Sequence, residues 1–163
     1  VQESGRAFID RLAALLAGTK DPAVRSAAAG ALGRTEDPEA RQALLADVLE
    51  ERFPVQAGLQ IVLRQLNRPS SREATFAWLE ANAAEVFELV PGTFRSNVAG
   101  LGDVFCSREK AGAWEALVER HADLLPGYER SLAQALESIR LCAGLKAARG
   151  SELAKAVREF PVR

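Results

Sequence analysis

The chain has 163 residues, 48% of them hydrophobic and 26% charged, enough apolar material for one ordinary core or a short row of packed repeats without metals or disulfides. Its 21 basic and 22 acidic residues leave a net charge of −1, which provides no overall field for phosphate backbones or anionic lipid and argues against nucleic acid and membrane partners. The longest apolar runs, such as Ala27–Leu32, fall far short of the roughly 20 residues that cross a bilayer, and no signal segment opens the chain, so a cytoplasmic location is expected.

Phe8, Leu12, Leu15 and Leu16 recur at helical spacing and stop at Gly18, a residue suited to a left-handed helix cap. Asp21-Pro22 then supplies an N-cap acceptor followed by proline at the first helical position, leading into Val24, Ala27, Ala28, Ala31 and Leu32 before Gly33. The same punctuation recurs at Asp37-Pro38, ahead of Ala40, Leu44, Leu45, Val48 and Leu49, and predicts an internal repeat.

Pro54 opens a fourth stripe through Val55, Leu59, Val62, Leu63 and Leu66, closed by Asn67-Arg68-Pro69. Ser70 and Glu73 have the spacing of a capping box for a helix carrying Phe76, Leu79, Ala83, Val86 and Phe87, which stops near Pro91-Gly92. Thr93 is expected to cap a shorter segment to about Asp103, and Ser107 another through Leu125, ended by Pro126-Gly127. A last long helix places Tyr128, Leu132, Ala135, Leu136, Ile139 and Cys142 on one stripe, and Ser151 is read as the cap of a final short turn.

No stretch alternates apolar and polar residues between hairpin turns, so no strand is predicted. About eight helices joined by short loops pack as antiparallel neighbours, and pairs recurring every 30 to 45 residues or so mark an all-α superhelix, a solenoid of the HEAT/ARM kind with a concave inner wall. The organisation expected is one helical-repeat domain over residues 1–163.

Asp21 to Arg25, with Ala28, Ala31, Leu32 and Gly33, resembles the second helix of a HEAT repeat. HEAT-like helices therefore span about residues 1–50. Phe105-Cys106-Ser107, Pro126-Gly127 and the run Ser131 to Cys142 resemble the end of the C-terminal domain of M1-type zinc aminopeptidases. Val55 to Leu59 and Trp78 to Asn82 are similar to its earlier helices, so about residues 51–163 carry that likeness, and with the HEAT-like start it covers nearly all of the chain.

The resemblance implies a parent metallopeptidase whose zinc lies in a separate catalytic domain, closed over by this domain as a bowl. It implies peptide substrates and the catalytic domain of the same chain as partners. The catalytic motifs do not carry over. Zinc needs two histidines one helical turn apart with a glutamate base between them, and this chain holds His121 alone. The exopeptidase motif Gly-x-Met-Glu-Asn is absent, there being no methionine, and for the same reason Val1 is expected not to be the natural start. No cofactor is expected in this chain.

His121 follows Arg120 near a helix end, where a cation favours the dipole. Trp78 and Trp114 lie in apolar stripes and read as core anchors. Cys106 and Cys142 match no metal-ligand spacing and are read as reduced and structural. No Gly-x-Ser-x-Gly elbow makes a serine a nucleophile. The candidate substrate contacts are Arg64, Arg95 and Arg140, each assigned to the second helix of a pair, the helices that line a concave wall; an arginine fork holds a carboxylate bidentately. Arg140 also stands three residues after Glu137, so a surface ion pair accounts for it equally well.

The function expected is accessory: a non-catalytic domain that encloses the peptide chamber and contacts the distal end of substrates. The alternatives are a free-standing HEAT adaptor that binds another protein and a nucleic-acid-binding HEAT protein. The balanced charge and 6% aromatic content weigh against the last.

Overall fold

A computed structural model describes residues 5–160, which leaves Val1 outside the described residues. Among these the fold is all-α, with nine α-helices, short 3-10 segments and no strand. The chain divides into two compact units, Val1–Pro91 and Gly92–Arg163.

The first unit holds α1 (Gly5–Gly18), α2 (Pro22–Leu32), α3 (Pro38–Leu49), α4 (Val55–Asn67), α5 (Arg72–Ala81) and α6 (Ala83–Leu89). Both Asp-Pro signals act as expected. The Asp21 carboxylate accepts from the Ala23 and Val24 N–H groups, and that of Asp37 from Glu39 and Ala40, with proline at the first helical position each time. Helix α1 packs on α2 and α3 on α4, while α2 also packs on α4 and α1 on α3. That alternate stacking is the α-α superhelix predicted by the repeat. Its interior runs from Ile9, Ala13 and Leu16 through Ala28, Ala29 and Leu32 to Leu44, Val48 and Ile61.

Several local expectations are corrected here. On α1 the buried stripe is Ile9, Ala13 and Leu16, while Phe8 and Leu15 are exposed. Gly18 does not take the left-handed cap expected of it, since among the described residues the positive-φ glycines are Gly5 and Gly127, and Gly33 has φ −63°. Gly33 serves close approach instead, since a Cβ there would lie 2.6 Å from Cβ of Arg64 on α4. The left-handed position that ends α3 belongs to Glu51, at φ 51°.

The Ser70–Glu73 capping box does not form. Helix α5 starts at Arg72, and the Ser71 hydroxyl donates backwards to the Gln65 carbonyl at 2.6 Å rather than capping forwards. The Arg72 guanidinium donates to the Leu66 and Asn67 carbonyls at 3.1 and 2.9 Å, which satisfies the exposed C-terminal end of α4. The helix expected to run through Phe87 breaks at Asn82, whose side-chain amide donates to the Trp78 carbonyl at 2.7 Å and closes α5.

The second unit holds α7 (Arg95–Val98) between two 3-10 segments, Gly92–Phe94 and Ala99–Val104, then α8 (Arg108–Arg120) and α9 (Glu129–Glu159). Ser107 caps α8 by accepting from the Lys110 N–H at 3.2 Å, but the helix ends at Arg120, before a 3-10 segment at Ala122–Leu124. No new turn begins at Ser151, because α9 runs unbroken to Glu159. Of the six residues expected on its stripe, Leu132, Ala135, Leu136 and Ile139 are buried while Tyr128 is half-buried and Cys142 exposed, and the helix packs on α7, on α8 and on the Ala99–Val104 segment. Trp114 is fully buried, its indole N–H donates to the Ala99 carbonyl at 2.8 Å, and its ring lies 6.0 Å from that of Phe105.

The reading of reduced cysteines is also corrected. Cys106 and Cys142 form a disulfide, with Cα atoms 5.1 Å apart, that ties the residue before Ser107 to α9. Helix packing brings together two residues 36 apart in sequence, a proximity that their spacing alone does not reveal.

Two stability predictions follow from these contacts. A Cβ on Gly102 would lie 2.4 Å from the Trp114 indole, whereas one on Gly112 within α8 meets nothing within 4 Å. Gly102→Ala should therefore lose about 1–3 kcal/mol to overpacking, and Gly112→Ala should gain up to about 1 kcal/mol of helix propensity. Thermal melts of both variants check the contrast, and equal effects would refute the close Trp114 contact. Opening the disulfide frees a 36-residue separation and should lower stability by about 2–4 kcal/mol. Chemical denaturation of the oxidised chain against the Cys106→Ser, Cys142→Ser double variant measures this.

Candidate functional site

Arg64 projects from α4 in the first unit, its stem packed under Gly33 and its guanidinium exposed. That guanidinium has no hydrogen-bond or ion-pair partner among the described residues. A cation presented this way is free to take a carboxylate, and its fork suits bidentate contact.

Arg95 and Arg140 belong to the second unit. Arg95 is half-buried at the first position of α7, a helix of four residues that packs on α9. Arg140 lies on the exposed side of α9, one residue past the buried Ile139. Its guanidinium pairs with Glu115 on α8 at 3.7 Å, and not with Glu137 as the i,i+3 spacing suggests. The two side chains are 58% and 39% exposed, so the pair is solvated and worth a few tenths of a kcal/mol at most. Such a bond exchanges readily for a ligand carboxylate.

Beyond Ile139, α9 presents a different surface. Leu145 and Leu153 are each 66% exposed, and together with Cys106, Cys142 and Arg149 they border a groove of about 640 Å³ along this half of the helix. The disulfide forms part of its wall, so the cysteines read as reduced and structural are instead bonded to each other and border a surface groove.

The remaining candidates take structural places. Trp114 is a core anchor, and Trp78 is half-buried against the interior of the first unit. His121 is the C-cap residue of α8, at the negative end of that helix dipole. No group of three or more His, Cys, Asp and Glu side chains among the described residues is placed to hold a metal ion, and both thiols are consumed by the disulfide. No described helix is long and apolar enough to cross a membrane.

The first unit presents the exposed Arg64, and the second presents the exposed Arg140 and the groove beside Leu145 and Leu153. No curated protein matches the chain. The sequence pattern of the ERAP1-like C-terminal domain matches residues 1–141, which include all three arginines and all of α1 through α8. With most of its length covered by that match, the chain belongs to the family of ERAP1-like C-terminal domains.

Proposed function

We propose that this chain is the non-catalytic C-terminal domain of an M1 zinc metallo-aminopeptidase, enclosing the active-site chamber and contacting the distal part of peptide substrates. The observation that carries the reading is the family match over residues 1–141. Zinc and the general base then reside in the catalytic domain of the parent, and the partners of this domain are that catalytic domain and the peptide.

Arg64, Arg95 and Arg140 are the proposed contacts to the peptide. Support comes from the unpartnered guanidinium of Arg64 and from the solvated, exchangeable ion pair of Arg140. A peptide held by its N-terminus at zinc extends its C-terminal carboxylate away from the metal, and arginine is the residue whose geometry matches that group.

The disulfide bears on where the parent works. Disulfides persist in oxidising compartments and are rare in the cytosol, so the Cys106–Cys142 bond supports an extracytoplasmic or otherwise oxidising location in place of the cytoplasm.

In the full-length enzyme, removing an arginine that binds the substrate terminus should impair long peptides and spare single-residue amides. A charged hydrogen bond of about 1.5–3 kcal/mol predicts roughly a tenfold to hundredfold loss of kcat/KM. Arg64→Met is the informative variant, because it keeps the stem that packs under Gly33 and removes only the charge. Arg95→Ala and Arg140→Ala complete the set. The measurement is kcat/KM over a peptide length series, with C-terminally amidated peptides as control. Equal losses on short and long substrates indicate damaged folding, and no loss on either removes the arginines from the substrate path.

A further inference from the structure

The first unit contains a pocket that none of the arginine contacts uses. It lies among α3, α4 and α5, has a volume of about 290 Å³, and is lined by Arg41, Gln42, Leu45, Gln65, Thr75 and Trp78, among others. Burial orders these residues by depth. Gln65, Leu45 and Thr75 are buried, Trp78 and Arg41 are half-buried, and Gln42 is exposed at the mouth.

Gln65 is the anomaly. Its side chain is fully buried, yet neither its amide nitrogen nor its amide oxygen has a hydrogen-bond partner among the described residues. Its neighbours are engaged elsewhere. The Thr75 hydroxyl donates to the Ser71 carbonyl at 2.9 Å, the Ser71 hydroxyl donates to the Gln65 main-chain carbonyl, and Arg41 donates to the Ser70 carbonyl at 3.2 Å. Leaving a buried polar group unpaired is destabilising, and Gln65 leaves a donor and an acceptor together. A leucine of similar volume at this inward position of α4 would carry no such cost.

We propose that the Gln65 pocket is a binding site for a neutral amide edge, an N–H donor and a C=O acceptor presented side by side. A carboxamide offers an N–H and a C=O on one edge, and it pairs with a group that offers the complementary two. A carboxylate answers only the donor and sets its charge against the Gln65 oxygen, and a hydrocarbon answers neither. Two sources carry the matching chemistry. One is a primary carboxamide. The other is the main chain of a single extended residue, whose N–H and C=O point the same way, as they do between paired strands. The volume admits a group of amino-acid size, and Leu45 and Trp78 supply apolar walls. Its lining includes none of the arginines proposed above, and its test is independent of the parent enzyme's activity.

The experiment is an NMR titration of the isotope-labelled chain with N-acetylglycine N-methylamide for the main-chain edge and propionamide for the primary carboxamide. N,N-dimethylacetamide, which has the acceptor but no N–H, is the control. The Gln65 side-chain NH2 signals and the Trp78 indole signal should shift saturably with at least one of the first two, whichever binds tighter naming the source. Dimethylacetamide should bind roughly tenfold more weakly or worse. Gln65→Leu should keep or raise Tm and weaken binding at least about tenfold. Should that variant fail to fold, the Gln65 signals of the unaltered chain decide alone. Absence of saturable shifts, equal shifts with dimethylacetamide, or undiminished binding in Gln65→Leu would overturn the proposal and leave Gln65 with a structural role only.

Discussion

Helices of ten to fourteen residues are marginal in water on their own, because the cost of nucleation is spread over too few hydrogen bonds. Helices α1 through α5 all fall in that range, and each depends on a neighbour to cover its one apolar stripe. The stacking of α1 on α3 and of α2 on α4 is the consequence, since a pair that covers its own inner faces still leaves one side open to the next pair. Close approach between layers then becomes the limiting quantity. It is met by removing side chains at the crossing points: Gly33 against the Arg64 stem, and Gly58 against Val48, where a Cβ would come within 3.3 Å of the valine methyl.

The second unit meets the same constraint with one large residue. Trp114 fills the space between α8 and the Ala99–Val104 segment, and Gly102 leaves room for its ring at a distance no alanine would permit. The indole N–H answers the Ala99 carbonyl, so the irregular segment keeps a buried main-chain acceptor paired where helix geometry lapses.

Much of this was legible in the residues. Asp21-Pro22 and Asp37-Pro38 state both the cap and the first helical position, and Leu132, Ala135, Leu136 and Ile139 state a buried face, because caps and stripes are local in sequence. The stripe of α1 is not legible for the opposite reason: Phe8, Ile9, Leu12, Leu15 and Leu16 cover too wide an arc for periodicity to say which edge faces inward, and the tertiary contact selects Ile9 and Leu16. Ser70 and Glu73 had the spacing of a box, yet Ser71 and Arg72 turn back to the end of α4 and claim that turn. The pairing of Arg140 with Glu115 and of Cys106 with Cys142 joins residues on different segments, and no local pattern announces either. Gln65 was invisible as a site because it occupies a core position of α4, where its anomaly is the lack of a partner, a property of packing rather than of sequence.

The position of the disulfide along α9 shows how local stability is apportioned. Up to Ile139 the helix is anchored by buried side chains, and past Cys142 Leu145, Leu153 and Val157 are all exposed. A stretch of helix with exposed side chains opens more readily than one held by buried contacts, and opening proceeds until it meets an interaction that resists it. The covalent bond at Cys142 stands three residues beyond the last buried anchor, less than one turn away. Opening of the exposed half is therefore decoupled from the half that carries Leu132, Leu136 and the packing against α8. The groove beside Leu145 and Leu153 gains an inner edge from the same bond, so that one covalent contact both ties α9 to the residue before α8 and forms part of the wall of an apolar groove.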